Sequence, residues 1–153
     1  MESNFFISSV NQKAVTGTAN VLIEGLPPFK GVVDSFITDG KSVRVSAKQR
    51  IDSRRTGVLS FWFMADITNG EHDYKEDLGV SVMYMFLEEV EDGTIITPYP
   101  AVYDSGTVNV TFDYAKGTLA VTFKLDVQNN PTEPLREAHG AFNDVSGLEH
   151  VKK

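Results

Sequence analysis

The sequence predicts an all-β fold, either an antiparallel β-sandwich of the jelly-roll type or a flattened β-barrel, with about eight to ten strands. Apolar and polar residues alternate with a period of two along much of the chain, and turn-forming residues recur at roughly ten-residue intervals. No repeat, linker or low-complexity segment divides the 153 residues, so residues 1–153 are expected to form a single domain.

Early strands are predicted at Phe5–Val10 and Thr18–Glu24. Pro27 and Pro28 follow the second of these and end it, because proline has no N–H to donate to a strand ladder.

Short turns are predicted at two Asp-Gly dipeptides, Asp39-Gly40 and Asp92-Gly93, each of which stands between strand-like runs. This dipeptide is typical of a two-residue type I′ hairpin turn. Longer turn-rich breaks complete the pattern at Gly25–Gly31, Asp52–Gly57, Asn69–Gly79, Pro98–Gly106 and Gln128–Pro134.

A hairpin over residues 107–127 follows from the clean alternation in TVNVTFDY and TLAVTFKLDV. Pairing Phe112 with Leu119 and Val110 with Val121 keeps both apolar sets on one face, whereas a slip of one residue would oppose apolar to polar positions. This register leaves a four-residue loop that ends in a glycine at position 117, which we expect in the left-handed conformation.

The C-terminal stretch allows two interpretations. Four apolar residues fall at helical spacing: Leu135, Ala138, Phe142 and Val145. Gly140 and Gly147 weaken a helix, however, and AHGAFNDV also fits a bulged edge strand. A strand that follows a short helical turn is favoured.

Composition and charge exclude several classes of function. The chain has no cysteine, hence no disulfide or thiolate chemistry, and its net charge of −7 disfavours binding to nucleic acid. The start, MESNFFISSVNQK, lacks the features of a signal peptide, and no apolar run approaches the roughly 18 residues of a membrane span. We expect a soluble cytoplasmic protein without a membrane partner, with a mature secreted form as the alternative.

The loop NGEHDYKED is the densest group of metal-ligating side chains, with Glu71, His72, Asp73 and Asp77. Its glycine and its last acidic residue do not fit an EF-hand loop, and one histidine is too few for a usual zinc site. A solvated loop without metal or cofactor is favoured, and a weak cation site is the alternative.

No catalytic constellation is evident. The sequence has neither a G-x-S-x-G elbow nor a phosphate-binding glycine loop. Glu88 and Glu89 are adjacent, so on a strand they point to opposite faces and cannot share acid–base work. An enzyme is therefore the less favoured class.

A basic segment contrasts with the acidic whole. Five of its cations are expected to lie close together, three on one face of a strand and two in the next turn: Arg44, Lys48, Arg50, Arg54 and Arg55. They form a candidate patch for an anionic ligand or an acidic partner, and a plain solvated face is the favoured alternative.

The strongest functional signal is hydrophobic. VLSFWFMADI and GVSVMYMFLEE carry apolar residues at both parities, whereas a strand with one wet face should alternate. Five residues are therefore candidates for binding: Trp62, Met64, Met83, Tyr84 and Met85. The second face needs a cover, which is a C-terminal segment of the same chain, a second subunit or an internal ligand.

These observations favour a non-catalytic binding or assembly module that uses an apolar sheet face and strand-end loops, with a homodimer or another protein as partner. The alternative is a carrier of a small lipid-like or aromatic molecule, or a barrel-type enzyme, with a pocket that contains Trp62 and Tyr84. A carbohydrate-binding module is a further alternative, which requires Trp62, Tyr99 and Tyr103 in a row.

Overall fold

The computed structural model describes residues 14–151, which form one strongly curled sheet. The strands are β1 Thr16–Ile23, β2 Phe29–Thr38, β3 Ser42–Arg50, β4 Arg55–Met64, β5 Gly70–Asp73, β6 Val80–Val90, β7 Gly93–Pro100, β8 Thr107–Asp113, β9 Thr118–Val127, β10 Arg136–Ser146 and β11 Glu149–His150. A single 3₁₀ turn, Glu76–Leu78, precedes β6. The all-β prediction is confirmed.

The strand order is β5–β8–β9–β10–β1–β2–β3–β4–β6–β7, with every neighbouring pair antiparallel, and β11 pairs parallel with the end of β2. The predicted strand Thr18–Glu24 corresponds to β1, while Phe5–Val10 lies outside the described residues. Within the described residues, no helix is long and apolar enough to cross a membrane.

The chain that leaves β7 meets the C-terminal end of β9. The N–H of Gln128 donates to the carbonyl of Pro100 at 3.1 Å, and Ala101 forms a bridge with Val127. On the other side, the N–H of Ala101 donates to the carbonyl of Val82 in β6 at 2.9 Å. The chain at 100–102 therefore lies between β6 and β9, and it curls the sheet into a flattened half-barrel.

Tyr74 fills the gap beside this junction. Its side chain is only 2% exposed, its hydroxyl accepts a hydrogen bond from the N–H of Val82 at 3.3 Å, and its ring stacks on Tyr103 at 5.4 Å. Its backbone N–H donates to Gly106, and its carbonyl accepts from Asp104. One residue of the acidic loop thus joins its own loop to β6 and to the loop after β7.

The core occupies the concave side of the sheet. The predicted inward residues of β4, Leu59, Phe61 and Phe63, are at most 1% exposed. Phe63 packs edge-on against Phe112 of β8 at 5.1 Å, so aromatic rings span the space between opposite sides of the curled sheet.

The 107–127 hairpin has the predicted register. Phe112 lies opposite Leu119 and Val110 opposite Val121, and Gly117 ends the loop with φ of 67°. Strict alternation of apolar and polar residues was sufficient to predict this register, because the outer face of both strands is polar.

The two predicted type I′ turns are wrong in detail, although both hairpins exist. Three residues separate β2 from β3, and the carboxylate of Asp39 accepts the N–H groups of Lys41 and Ser42 at 2.9 Å, which stabilises a longer turn. In the second hairpin the turn residues are Glu91 and Asp92, one position earlier than predicted, because Gly93 already pairs with Val90.

The C-terminal stretch forms β10, so the helical interpretation is wrong. A register shift between Phe142 and Val145 is the predicted bulge, but the strand lies between β9 and β1 and is not at an edge. The break predicted over Asn69–Gly79 also contains a strand, β5, which pairs with β8.

Replacing Gly117 by valine is expected to lower the free energy of unfolding by about 1 kcal/mol or more, because a β-branched residue resists a positive φ. A Cβ there would also lie 3.1 Å from the Cβ of Leu148. Urea denaturation measures the change. Lys116→Val, in the same loop but without a positive φ, is the control; equal stability of the two variants would contradict the assignment.

Candidate functional site

Strands β4, β6 and β7 build the candidate site on the convex side of the sheet. Val58 of β4 lies opposite Met85 of β6, which in turn lies opposite Pro98 of β7. Directly opposed residues in an antiparallel pair share a face, so each row of the register continues across all three strands. We call the resulting set the outer apolar surface: Val58, Met83, Met85, Leu87, Ile96 and Pro98.

Exposure along the outer apolar surface rises from β4 towards β7. Val58 is 7% exposed, Met83, Met85 and Leu87 are half-buried, and Ile96 is 56% exposed. The cross-strand neighbours of Val58 are Met85 and Lys48, whose long side chains cover it. Part of the convex side of β4 is thus covered by side chains of the sheet itself, which the sequence did not predict.

Trp62 and Met64 lie on the same convex side but at the other end of β4. Trp62 is half-buried, opposite Arg44 of β3 and Ser81 of β6, and Met64 is 36% exposed. A shallow depression beside Trp62 is lined by Ile37, Thr38, Asp39, Ser42, Arg44, Trp62 and Val151.

The C-terminal segment does not fold over β4 and β6. The N–H of Val151 donates to the carbonyl of Thr38 at 2.9 Å, so this segment extends the sheet beside β2. Within residues 14–151, every strand belongs to the sheet, and none forms a second layer outside β4, β6 and β7.

Tyr84 lies on the opposite side of the sheet from the other four candidates. It is 3% exposed, and its ring packs edge-on against Phe29 at 5.7 Å and beside Tyr99 at 6.2 Å. Gly57 makes room for it, since a Cβ there would lie 2.7 Å from the Tyr84 hydroxyl. The predicted internal pocket containing Trp62 and Tyr84 together is therefore wrong.

The predicted row of aromatic side chains for a sugar is also wrong. Trp62 lies on the convex side, whereas Tyr99 lies opposite Tyr84 and contacts it. Tyr103 stacks on buried Tyr74 in the loop after β7. The three rings do not form one platform.

The basic residues of β3 lie on the convex side, as their spacing predicts. Arg44 is opposite Trp62, Lys48 opposite Val58, and Arg50 opposite Thr56. They form a cationic border along the apolar residues of β4.

Three cations of the patch have carboxylate partners. Lys48 lies 3.5 Å from Asp34, Arg50 lies 3.8 Å from Glu89, and Arg55 lies 2.6 Å from Asp52. The hydrogen bond from Arg55 lowers the pKa of Asp52 to about 2. In the described part of the chain, Arg44 and Arg54 are the two members without such a partner.

Arg54 stands beside a depression that joins the two kinds of surface. Its lining combines cations with apolar side chains: Lys48, Arg50, Arg54, Thr56, Val58, Leu87, Glu89 and Thr94. A partner that presents apolar groups together with a carboxylate matches this arrangement.

The acidic loop is partly a structural element. The side chain of Asn69 accepts the N–H of Phe112 at 2.8 Å, and a ring nitrogen of His72 lies 2.6 Å from the carbonyl of Thr68. Among residues 14–151, no three His, Asp or Glu side chains are grouped so as to hold a metal ion.

Two features were not predicted from the sequence: the role of Tyr74, and the edge of β7 that is open among residues 14–151. A signal for the second exists in TIITPYP, because prolines at alternate positions of a strand are typical of an edge whose N–H side faces solvent. Nothing in the loop sequence distinguishes Tyr74 from a surface tyrosine.

Comparisons of this chain with protein-family models, with curated proteins and with solved structures find no match. Its function is therefore inferred from the positions, burial and charges of its own residues.

Two buried tyrosines give opposite expectations for removal of a hydroxyl. Tyr74→Phe leaves the N–H of Val82 without its acceptor and is expected to cost about 1 kcal/mol of stability. Tyr84→Phe is expected to be neutral or stabilising, because the Tyr84 hydroxyl has no hydrogen-bond partner among residues 14–151. Urea denaturation at pH 7 compares the two; the same loss in both would contradict the assigned roles.

The same variants test the response to alkaline pH. Burial raises the pKa of Tyr74 and of Tyr84, so the unfolded chain loses these protons first. This contribution to stability is fully present below the unfolded value of about 10 and falls as the pH rises above it. The double variant Tyr74→Phe/Tyr84→Phe should therefore show the shallower loss of stability above pH 10.

Proposed function

We propose that this chain is a non-catalytic assembly module that self-associates by burying the outer apolar surface. The observation that carries the proposal is a set of apolar side chains on the solvent side of β4, β6 and β7. An antiparallel sheet with one wet face normally carries polar residues there. Ile96 remains 56% exposed at one end of this set.

The composition of the surface fits a protein contact. Two methionines give it an adaptable apolar centre, and the neighbouring cations give it a charged border. An apolar centre with a polar rim is the usual anatomy of an interface between chains.

The ionisation of the chain favours binding over proton transfer. Among residues 14–151, the clearly shifted pKa values belong to the ion pair Asp52–Arg55 and to the buried hydroxyls of Tyr74 and Tyr84. Each shift has a structural cause, and none of these groups belongs to the outer apolar surface.

A second candidate function is the binding of a small apolar anion in the depression beside Trp62. Arg44 has no carboxylate partner among residues 14–151, and the indole ring lies opposite it. Quenching of Trp62 fluorescence by a fatty acid or an aromatic acid, lost in Arg44→Ala, is the observation that supports this candidate.

Replacing Met85 by glutamate is expected to weaken self-association at least tenfold, because a buried carboxylate without a partner costs several kcal/mol. Light scattering over a dilution series measures the mean mass. The control is Thr111→Glu, an exposed position on β8 that lies outside the proposed contact.

Melting temperatures establish that both variants remain folded. A wild-type chain whose mass stays that of one copy at high concentration contradicts the proposal. So does a Met85→Glu variant that associates as well as the Thr111→Glu control.

A further inference from the structure

Strand β7 is hydrogen-bonded to β6 on one side. On its other side, only some of its backbone groups have hydrogen-bond partners among the described residues. The carbonyl of Pro98 accepts a hydrogen bond from the side-chain amide of Asn129 at 2.7 Å, and the carbonyl of Pro100 accepts one from Gln128. The backbone groups of both prolines therefore point away from β6. Since this direction alternates along an antiparallel strand, Thr94 and Ile96 point the same way.

Thr94 and Ile96 form the open part of this edge. Both are exposed, and neither has a backbone partner on that side among the described residues. On the C-terminal side of Ile96, Pro98 and Pro100 have no N–H to donate. Their carbonyls already accept hydrogen bonds from Asn129 and Gln128. The edge thus offers two N–H groups and two carbonyls within three residues.

We propose that a second copy of this chain pairs with this edge, β7 against β7, antiparallel about a two-fold axis that passes beside Ile95 and runs perpendicular to the sheet. The inference rests on the proposed assembly function and adds a second contact to it. Thr94 of each copy lies opposite Ile96 of the other, and each of these two pairs exchanges two hydrogen bonds.

Only this register uses every free group. Pairing Ile96 with its own counterpart would put Thr94 opposite Pro98, which has no N–H and whose carbonyl is taken by Asn129. Pairing Thr94 with its own counterpart would require Asp92, a turn residue, to continue the strand. Four hydrogen bonds form about Ile95, and two form in the register about Ile96.

Charge complementarity supports the same register. In this register the tip of each hairpin, Glu91 and Asp92, reaches the level of Tyr99 of the other copy. It turns away from the edge there, because Asn129 and Gln128 already bond to the carbonyls of Pro98 and Pro100. Arg136 lies over the Tyr99 ring, 5.8 Å from its centre. The acidic tip of each hairpin therefore approaches a cation of the other copy.

Cysteine cross-linking tests the register directly, since the chain has no cysteine of its own. Ile95 faces its own counterpart as a non-hydrogen-bonded pair, with Cα atoms about 4.5 Å apart, within the range of a disulfide. Two copies of residue 96 are about 8 Å apart, beyond that range. Ile95→Cys should oxidise to a covalent dimer at least tenfold faster than Ile96→Cys, measured by non-reducing electrophoresis.

Backbone variants test the hydrogen bonds. Ile95→Cys/Ile96→Pro removes one outward N–H at a position whose parity already carries prolines, and should cross-link at least tenfold more slowly than Ile95→Cys. The control Ile95→Cys/Ile96→Thr loses the same apolar side chain but keeps the N–H, and should cross-link faster than the proline variant. If the proline at 96 unfolds the chain, Thr94→Pro replaces it.

Equal cross-linking of Ile95→Cys and Ile96→Cys, or none by either, overturns the inference. Slow hydrogen exchange of the Thr94 and Ile96 amides in a dilute monomer also overturns it, because another part of the chain then occupies the edge. If Met85→Glu lowers the mass while Ile95→Cys fails to cross-link, the proposed function stands and the edge contact fails. If Ile95→Cys cross-links while Met85→Glu leaves the mass unchanged, the edge contact stands and the contact through the outer apolar surface is rejected.

Discussion

The edge strand of a curled sheet has a row of backbone N–H and carbonyl groups that need hydrogen-bond partners. This constraint governs the architecture around β7. Its C-terminal half is blunted by Pro98 and Pro100, whose carbonyls are taken by Asn129 and Gln128. Next to Pro100, Ala101 donates its N–H to the carbonyl of Val82 in β6, and the hydroxyl of Tyr74 accepts the N–H of the same Val82. Only the stretch from Thr94 to Ile96 is left without such a partner among residues 14–151.

The apolar character of β4 and β6 on both faces has two separate origins. Their concave face supplies the core, where Phe61 and Phe63 are fully buried. Their convex face is a thin layer in which long side chains cover shorter ones, as Met85 and Lys48 cover Val58. Burial of a side chain on this convex face therefore does not imply a second layer of secondary structure, and the surface it leaves becomes more exposed towards β7.

The elements that could be predicted from the sequence are those in which one physical factor dominates. The 107–127 hairpin followed from alternation alone, because each strand has one polar face. The turn after β2 could not be predicted, since the carboxylate of Asp39 stabilises a longer turn than its dipeptide favours. Trp62 and the methionines were proposed as binding residues because apolar residues occupy both parities of β4 and β6. That Tyr84 belongs to the core became clear from its packing against Phe29. The role of Tyr74 depends on contacts with β6 and with the loop after β7, which no local pattern encodes.

Free energies show how the proposed contact at the β7 edge and the proposed contact through the outer apolar surface complement each other. Four hydrogen bonds at a net value of about 1 kcal/mol each total roughly 4 kcal/mol, which only matches the low end of the 4–15 kcal/mol that association costs. The edge alone therefore gives a specific but weak contact, and the apolar surface alone gives an adhesive contact without a fixed register. A two-fold axis perpendicular to the sheet places the outer apolar surfaces of two copies side by side on the same side of the joined sheet. Edge pairing thus doubles the continuous apolar area, so two such pairs can meet face to face with the symmetry of a dimer of dimers.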